Sequence, residues 1–410
     1  MEKQGREQDM GTSSLKGIRV VSFTWVWAGP WLGAMLADMG AEVIKIETRQ
    51  RLDSQRVVKI TKNPEQGVNQ GQFNVTNRGV KSCTLNIKQP QGLEMLKQLI
   101  RISDVVITNF APRIMPGWGL GYDTLKAIKP DIILVTLPAF GSTGPDKDYL
   151  SYGSTLEAVG GLSASFGHPG EGPVISGPYP SDPIGSMYGL VSVLAALNYR
   201  KKTGQGQHVD VAQNEAVTTL IPEVIMEEVM NHRTRPRLGN RDEIMAPHAC
   251  YPCKGKDKWV AIAVGTDEKW QAMCKAMGNP AWCHDVKFAD QLSRWQNQDE
   301  LNKLVADWTK DFTHYAVMQK LQKAGVAAGP SFDVEELVND PHVKDRGIFI
   351  EQNHPAAGKT IVYRSPWKSA LTVKNPPAPC LGENNDYIFK ELLGIGDAEV
   401  AKMIENKVIY

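Results

Sequence analysis

Short apolar runs alternate with amphipathic helical stretches over the first third of the chain, and few folds accept that pattern. Residues 17–23 (GIRVVSF), 42–47 (EVIKIE), 104–110 (DVVITNF) and 131–140 (DIILVTLPAF) read as strands. Residues 30–40, with proline at the start and glycine at the end, read as a helix, as do 91–103 and 122–128. Short apolar strands spaced by such helices form a parallel sheet covered on both faces, so the predicted fold class is α/β. Sheets of this kind bind ligands at the carboxyl ends of their strands. The first turn, TWVWAGPWLG, lacks the G-x-G-x-x-G fingerprint, so a dinucleotide site has little support.

The chain has 410 residues, enough for two domains and a sizeable core. A polar tail (1–16) precedes the first strand, and residues 17–232 form the first part of a large domain. Within it, residues 141–185 are rich in Gly, Pro and Ser and read as long loops over an active face. An apolar helix (184–200), the turn KKTGQGQ, the strand HVDVAQ and a helix over 214–231 follow. The character changes at RTRPRLGN (233–240). A hairpin over 249–264 turning at KGKDK, then helices near 268–277, 300–311 and 314–324, predict a smaller inserted α+β domain over 233–329. Residues 330–410 return to the large domain through a Pro-rich stretch and end in two short helices.

Lys plus Arg (46) nearly balances Asp plus Glu (45), so no global field draws the chain to nucleic acid or anionic lipid. The tail lacks the apolar core of a signal peptide, and no window resembles a membrane helix. Six cysteines in so long a chain make no disulfide framework. Composition thus argues against nucleic-acid and membrane roles and predicts a cytoplasmic protein. Cys250 and Cys253 form a CxxC, but Cys274 and Cys283 are too far apart for the second tight pair of a zinc ribbon, and no metal is expected.

Seven segments, in order and across nearly the whole chain, resemble family III CoA-transferases, the formyl-CoA and carnitine CoA-transferase family. They are AGPWLGAMLADMGAEVIKIE (28–47), NRGVKS (77–82), DVVITNFAP (104–112), GLGYDTLKAIKPDIILVTLPAFGSTGP (119–145), SDPIGSMYGLVSVLAALNYRKKTGQGQHVDVAQNEA (181–216), YPCKGKDKWVAIAV (251–264) and GVAAGPSFDVEELVNDP (325–341). The resemblance implies a Rossmann-like large domain, a small domain, and two subunits threaded as interlocked rings. It also implies acyl-CoA and free carboxylic acid as substrates, with coenzyme A as cosubstrate and no tightly bound cofactor. The assembly implied is a homodimer or a heteromer with a related subunit.

Asp182 lies where the Gly- and Pro-rich loop enters the apolar helix (YPSDPIGSMYG). Read from the residues alone, Asp182 is an N-cap with Pro183 at the first helical position. The resemblance places the family's catalytic aspartate here, and a helix N-terminus favours a carboxylate in either case. Such an aspartate attacks the thioester, whose thiolate (pKa ~8.5) leaves more readily than an alkoxide. An aspartyl anhydride and then an aspartyl-CoA thioester follow.

Arg49, Arg78, Lys81 and Arg113 match basic stretches around the family's nucleotide site, and the arginines suit phosphate pairing. Each also reads as an ordinary surface charge. Asn109 and Phe110 match an Asn-Phe element after a strand. Trp27 stands where the formyl-CoA enzyme has glutamine, and Tyr152-Gly153 where it has Tyr-Glu. A tetraglycine loop of that enzyme has no counterpart near 239–248. These departures argue against oxalate and formate. Trp25, Trp27 and Trp31 suggest a bulky or aromatic acyl group, with Trp27, Tyr152 and His248 as substrate contacts; ordinary packing of the tryptophans and a hydrogen-bonded loop histidine at 248 are the plainer readings. Among family members the chain is similar to subunits of succinyl-CoA:benzylsuccinate CoA-transferase, which suggests succinyl-CoA as donor. Two alternatives stand beside this reading. One is an α-methylacyl-CoA racemase-like epimerase, whose histidine aligns near Tyr152, upstream of the first histidine, His168. The other is a non-catalytic subunit.

Overall fold

The computed structural model describes residues 13–56, 71–368, 373 and 375–410; most of the expected polar tail, residues 1–12, lies outside them. The chain divides into two compact units. The first comprises Met1–Ser163, Ile175–Met226 and Gly347–Tyr410, the second Ala164–Val174 and Glu227–Arg346.

The first unit is built on six parallel strands: β1 (Arg19–Phe23), β2 (Glu42–Glu47), β3 (Lys81–Thr84), β4 (Val105–Thr108), β5 (Ile133–Thr136) and β6 (His208–Asp210). Their order is β3-β2-β1-β4-β5-β6, so the winding reverses between β1 and β4. In register, Val21 pairs with Ile44 on one side and Val106 on the other. Neighbouring residues on a strand face opposite ways. Val21, Ile44, Val106 and Leu134 accordingly join one buried cluster, and Val20, Val43, Val105 and Ile133 the other. This is why the strands read as continuously apolar.

Helices α1 (Ala28–Asp38), α2 (Gly71–Thr76), α3 (Pro90–Arg101), α4 (Ile114–Gly117), α5 (Tyr122–Ile128), α6 (Gly153–Val159), α7 (Leu162–Ser165), α8 (Ser181–Thr203), α9 (Gln213–Thr218) and α10 (Pro222–Asn231) follow in chain order. Leu32 and Leu36 of α1 and Val193 of α8 cover one face of the sheet, and Leu96 and Leu99 of α3 with Leu125 of α5 cover the other. The stretch expected as continuous loop over 141–185 contains α6 and α7. Each is at most two turns long, too short for a period to register against its glycines and serines.

The second unit holds an antiparallel sheet of β7 (His248–Pro252), β8 (Trp259–Ala263) and β9 (Ala327–Ser331). Around it lie α11 (Asp267–Met277), α12 (Gln291–Gln296), α13 (Gln298–Thr309), α14 (His314–Lys323), α15 (Val334–Asn339) and α16 (Pro341–Arg346). Trp270, Leu301, Val305 and Leu321 are among its buried residues. The expected hairpin forms, with Cys250 opposite Ala261. The sequence reading missed β9, because Gly329 and Pro330 mask it.

A hairpin that the sequence reading also missed, β10 (Phe349–His354) with β11 (Gly358–Tyr363), belongs to the first unit. A π-helical turn (Tyr387–Leu392) and α17 (Asp397–Glu405) end the chain. The terminus is tied to β3: the Asn86 N–H donates to Val408 O (2.8 Å) and the Thr84 hydroxyl to Tyr410 O (2.6 Å). Among the described residues no helix is long and apolar enough to cross a membrane.

Candidate active site

The turn from β1 into α1 sits at the carboxyl end of the sheet, at the β1/β4 reversal, where doubly wound folds place ligands. Its backbone is held by side chains from elsewhere. Asn109, just past β4, accepts from the Trp25 N–H (3.0 Å) and donates to Trp25 O (2.9 Å). The Val26 N–H donates to Asp53 Oδ1 (3.1 Å), and Val26 has φ +68°, a left-handed conformation rare for a β-branched residue. Gly29 is needed at the start of α1, because a Cβ there would lie 2.5 Å from Thr24 Cγ2 and 2.8 Å from Asn109 Oδ1. One of the N–H groups that a helix start leaves without an intrahelical partner, that of Ala28, donates to Asp182 Oδ1 (3.3 Å).

Asp182 lies in the first turn of α8, but Pro180, not Asp182, occupies the N-cap position. The N-cap expectation is corrected accordingly: the carboxylate turns to the neighbouring helix α1 rather than to its own backbone. The Ser186 hydroxyl makes a second tie between the helices, lying 2.6 Å from Ala28 O and 2.7 Å from Asp182 O. On the other side the backbone of Gly153 approaches closely, and a Cβ at that position would lie 2.6 Å from Asp182 Oδ2. At Gly153, which the resemblance sets opposite the glutamate of the formyl-CoA enzyme, a side chain would therefore press on Asp182 and Tyr179. Burial pushes the Asp182 pKa up to about 6, with the Ala28 N–H pulling in the opposite direction.

Asp182 opens onto a cavity of about 1500 Å³, larger than the ~300–1,000 Å³ of a typical small-ligand site. Trp27, Asn109, Phe110, Arg113 and Tyr152 line the same cavity. Asn109, however, already uses both ends of its amide on Trp25. Phe110 packs edge-on against Trp25, with centroids 5.2 Å apart, and Trp27 stacks on Trp31 at 6.4 Å. Arg113 reaches the Asp148 carbonyl (3.2 Å) and is half exposed.

The other three cations lie elsewhere. Arg78 is fully buried, pairs with Asp38 and donates to Val75 O (2.6 Å), so its guanidinium has no surface to offer a ligand. Lys81 lies over the Tyr387 ring, and Arg49 is exposed and outside the lining. His248 belongs to the second unit, where its Nδ1 lies 2.8 Å from Asn240 O.

The cavity wall instead carries Arg51, Lys88 and Lys147, which sequence reasoning passed over. Arg51 lies over the Trp25 ring, 4.9 Å from its centroid. Its place two residues after Arg49, beyond a strand end, was the one available signal. With Arg113 these make four cations. The acids of the lining are Asp182 and Glu47, and Glu47 is paired with Arg56 (2.7 Å). The cavity therefore suits a long polyanion whose reacting end meets a partly buried carboxylate. Among the described residues no group of three or more His, Cys, Asp or Glu is placed to hold a metal ion.

The family model for CoA-transferase family III matches residues 15–385. A succinyl-CoA–D-citramalate CoA-transferase of Chloroflexus aurantiacus is 32% identical, over 96% of this chain and 98% of its own length. The beta subunit of a succinyl-CoA–L-malate CoA-transferase from the same organism is 31% identical, over 97% of this chain and 98% of its own. The crystal structure of a CAIB/BAIF family protein from Brucella suis superposes with a TM-score of 0.84 at 29% identity, covering 93% of this chain and 100% of that one.

Proposed function

The chain belongs to CoA-transferase family III, and from that premise we propose that Asp182 carries the acyl group and then CoA between two acids. One observation carries the reading. The Asp182 carboxylate opens onto the large cavity with Oδ1 held by a backbone N–H, while burial has already stripped it of some solvation.

In the first step an Asp182 oxygen attacks the thioester carbonyl, the C–S bond breaks, and CoA leaves as thiolate. The thiolate then attacks the aspartyl carbonyl of the mixed anhydride, expelling the donor acid as carboxylate and leaving an aspartyl-CoA thioester. The acceptor carboxylate attacks that thioester, giving a new anhydride and free thiolate. Attack of the thiolate on the acceptor's acyl carbon completes the exchange and restores Asp182. Whenever the aspartyl carbonyl is attacked, the oxyanion forms on an Asp182 oxygen, which is where the Ala28 N–H points. One such donor contributes about 3 kcal/mol. Water must be excluded from both activated intermediates.

Arg51, Lys88, Arg113 and Lys147 are the side chains we assign to the phosphates of CoA; Arg113 alone survives from the cations chosen by sequence. Succinyl-CoA is the proposed donor, supported by the succinyl-CoA enzymes among the relatives. The proposed acceptor is a carboxylic acid with a bulky or aromatic body, supported by Trp25, Trp27, Phe110, Tyr152 and Tyr179 in the wall. We also propose that two chains, identical or related, assemble, possession of a beta subunit by one relative's enzyme being in keeping with this.

The test is incubation with succinyl-CoA followed by hydroxylamine and peptide mass spectrometry. A hydroxamate at Asp182 is expected, and an unmodified Asp182 during active turnover would refute the covalent route. Thioester exchange with arylalkanoic acids, assayed beside malate and citramalate, decides the acceptor class.

A further inference from the structure

The left-handed turn at Val26 is held by a buried ion pair that the chemistry above does not use. Asp53 is fully buried. Its Oδ1 accepts from the Val26 N–H (3.1 Å) and the Gln55 N–H (3.1 Å), and its Oδ2 meets the Lys45 ammonium at 2.7 Å. Lys45 is equally buried, in the middle of β2, where its Nζ also donates to Asn77 Oδ1 (3.0 Å) and lies 5.2 Å from the centroid of the Phe73 ring. A lysine inside an apolar strand is costly to bury unless it is paired. Lys45 thus fixes the position of Asp53, and Asp53 fixes the Val26 amide. Two residues further on, the Ala28 N–H donates to Asp182 Oδ1 (3.3 Å).

We infer that Asp53 is a positioning residue for transfer: with Lys45 behind it, it holds Val26 left-handed and so aims the Ala28 N–H at the oxygen of Asp182 that becomes the oxyanion. Backbone strain of this kind persists only where the surroundings over-determine it, and here two side chains do so, Asn109 on Trp25 and Asp53 on Val26. Without the Asp53 acceptor, Val26 relaxes towards negative φ and the Ala28 amide turns away. The inference rests on the assignment of Asp182 as nucleophile.

Asp53→Ala is expected to lower kcat about a hundredfold, the effect of losing one oxyanion donor, with KM for the acyl-CoA changed less than about threefold. Asp53→Asn keeps an acceptor for the Val26 N–H but gives up the charge opposite Lys45. It is expected to unfold at lower temperature yet keep kcat within about fivefold of the parent. Val26→Gly added to Asp53→Ala makes the left-handed turn accessible again and is expected to restore kcat at least about tenfold. Should Asp53→Ala fail to fold, Lys45→Met with Asp53→Ala removes the acceptor without leaving an orphaned ammonium, and its kcat must fall in the same way. A folded protein without the Asp53 acceptor that keeps full kcat overturns the inference, as does a Val26→Gly addition that restores nothing. Asp182→Ala separates the two ideas. If it is inactive while Asp53→Ala is fully active, only the role of Asp53 fails. If it still turns over, the nucleophile assignment fails first and the inference with it.

Discussion

In the proposed role Asp182 has to be ionised to attack and partly desolvated to be reactive, and these demands pull its pKa in opposite directions. With a pKa of about 6, kcat/KM is expected to fall tenfold per pH unit below that value and to level off above it. A pH profile run to pH 5 checks this. The same shift bears on stability. The carboxyl binds its proton more tightly folded than unfolded, so it favours folding fully below about pH 4, and that contribution is lost as pH rises through about 6. Above that point the buried charge opposes folding. Asp182→Asn is therefore expected to abolish transfer while stabilising the protein by about 1–3 kcal/mol at pH 8. The gain should vanish near pH 4, which thermal unfolding at the two pH values measures. Gly153 belongs to the same balance: with its backbone against Oδ2, Asp182 is shielded from water on a side where a side chain would displace it.

At the scale of elements, the site is a joint between α1 and α8. Each presents its first turn to the other, and Ser186 holds both. One turn further along, Gly189 lets the helices come close: a Cβ there would lie 2.9 Å from Leu32 Cδ2 and 3.0 Å from Leu137 Cδ2. Gly189→Val overpacks this contact and is expected to destabilise the fold by about 1–3 kcal/mol. Because the joint also sets the distance from Ala28 to Asp182, the loss of kcat should exceed any change in KM. Chemical denaturation and steady-state kinetics on one preparation test both. Neither helix is strongly amphipathic in sequence, since α1 is buried almost all round and α8 is apolar on both of its sides.

At the scale of the whole molecule, the outer side of α8 exposes Met187 (46%), Tyr188 (44%) and Val191 (63%). Exposed apolar side chains that adjoin one another can mark an interaction surface. In the proposed assembly a second chain covers them, and Val191→Glu would bury an unpaired charge there. Native mass spectrometry is expected to show a dimer for the parent chain and a shift towards monomer for Val191→Glu.

The alternation of apolar strands with helices determined the parallel sheet, and the order of the motifs determined the family. Both are local or linear properties, written in residues close together in the chain. Asp182 was singled out for the same reason, as one residue within a motif. Side-chain partners were not. Arg78 and Arg113 look alike in sequence, yet one is sealed against Asp38 while the other lines the cavity, because burial depends on what the fold brings from distant positions. Likewise Asp53 reads as an ordinary loop acid until Lys45 and Val26 meet it. The Ala28 N–H, being backbone, carries no side-chain signal at all; only the crossing of two helices 154 residues apart makes it a donor to the Asp182 carboxylate.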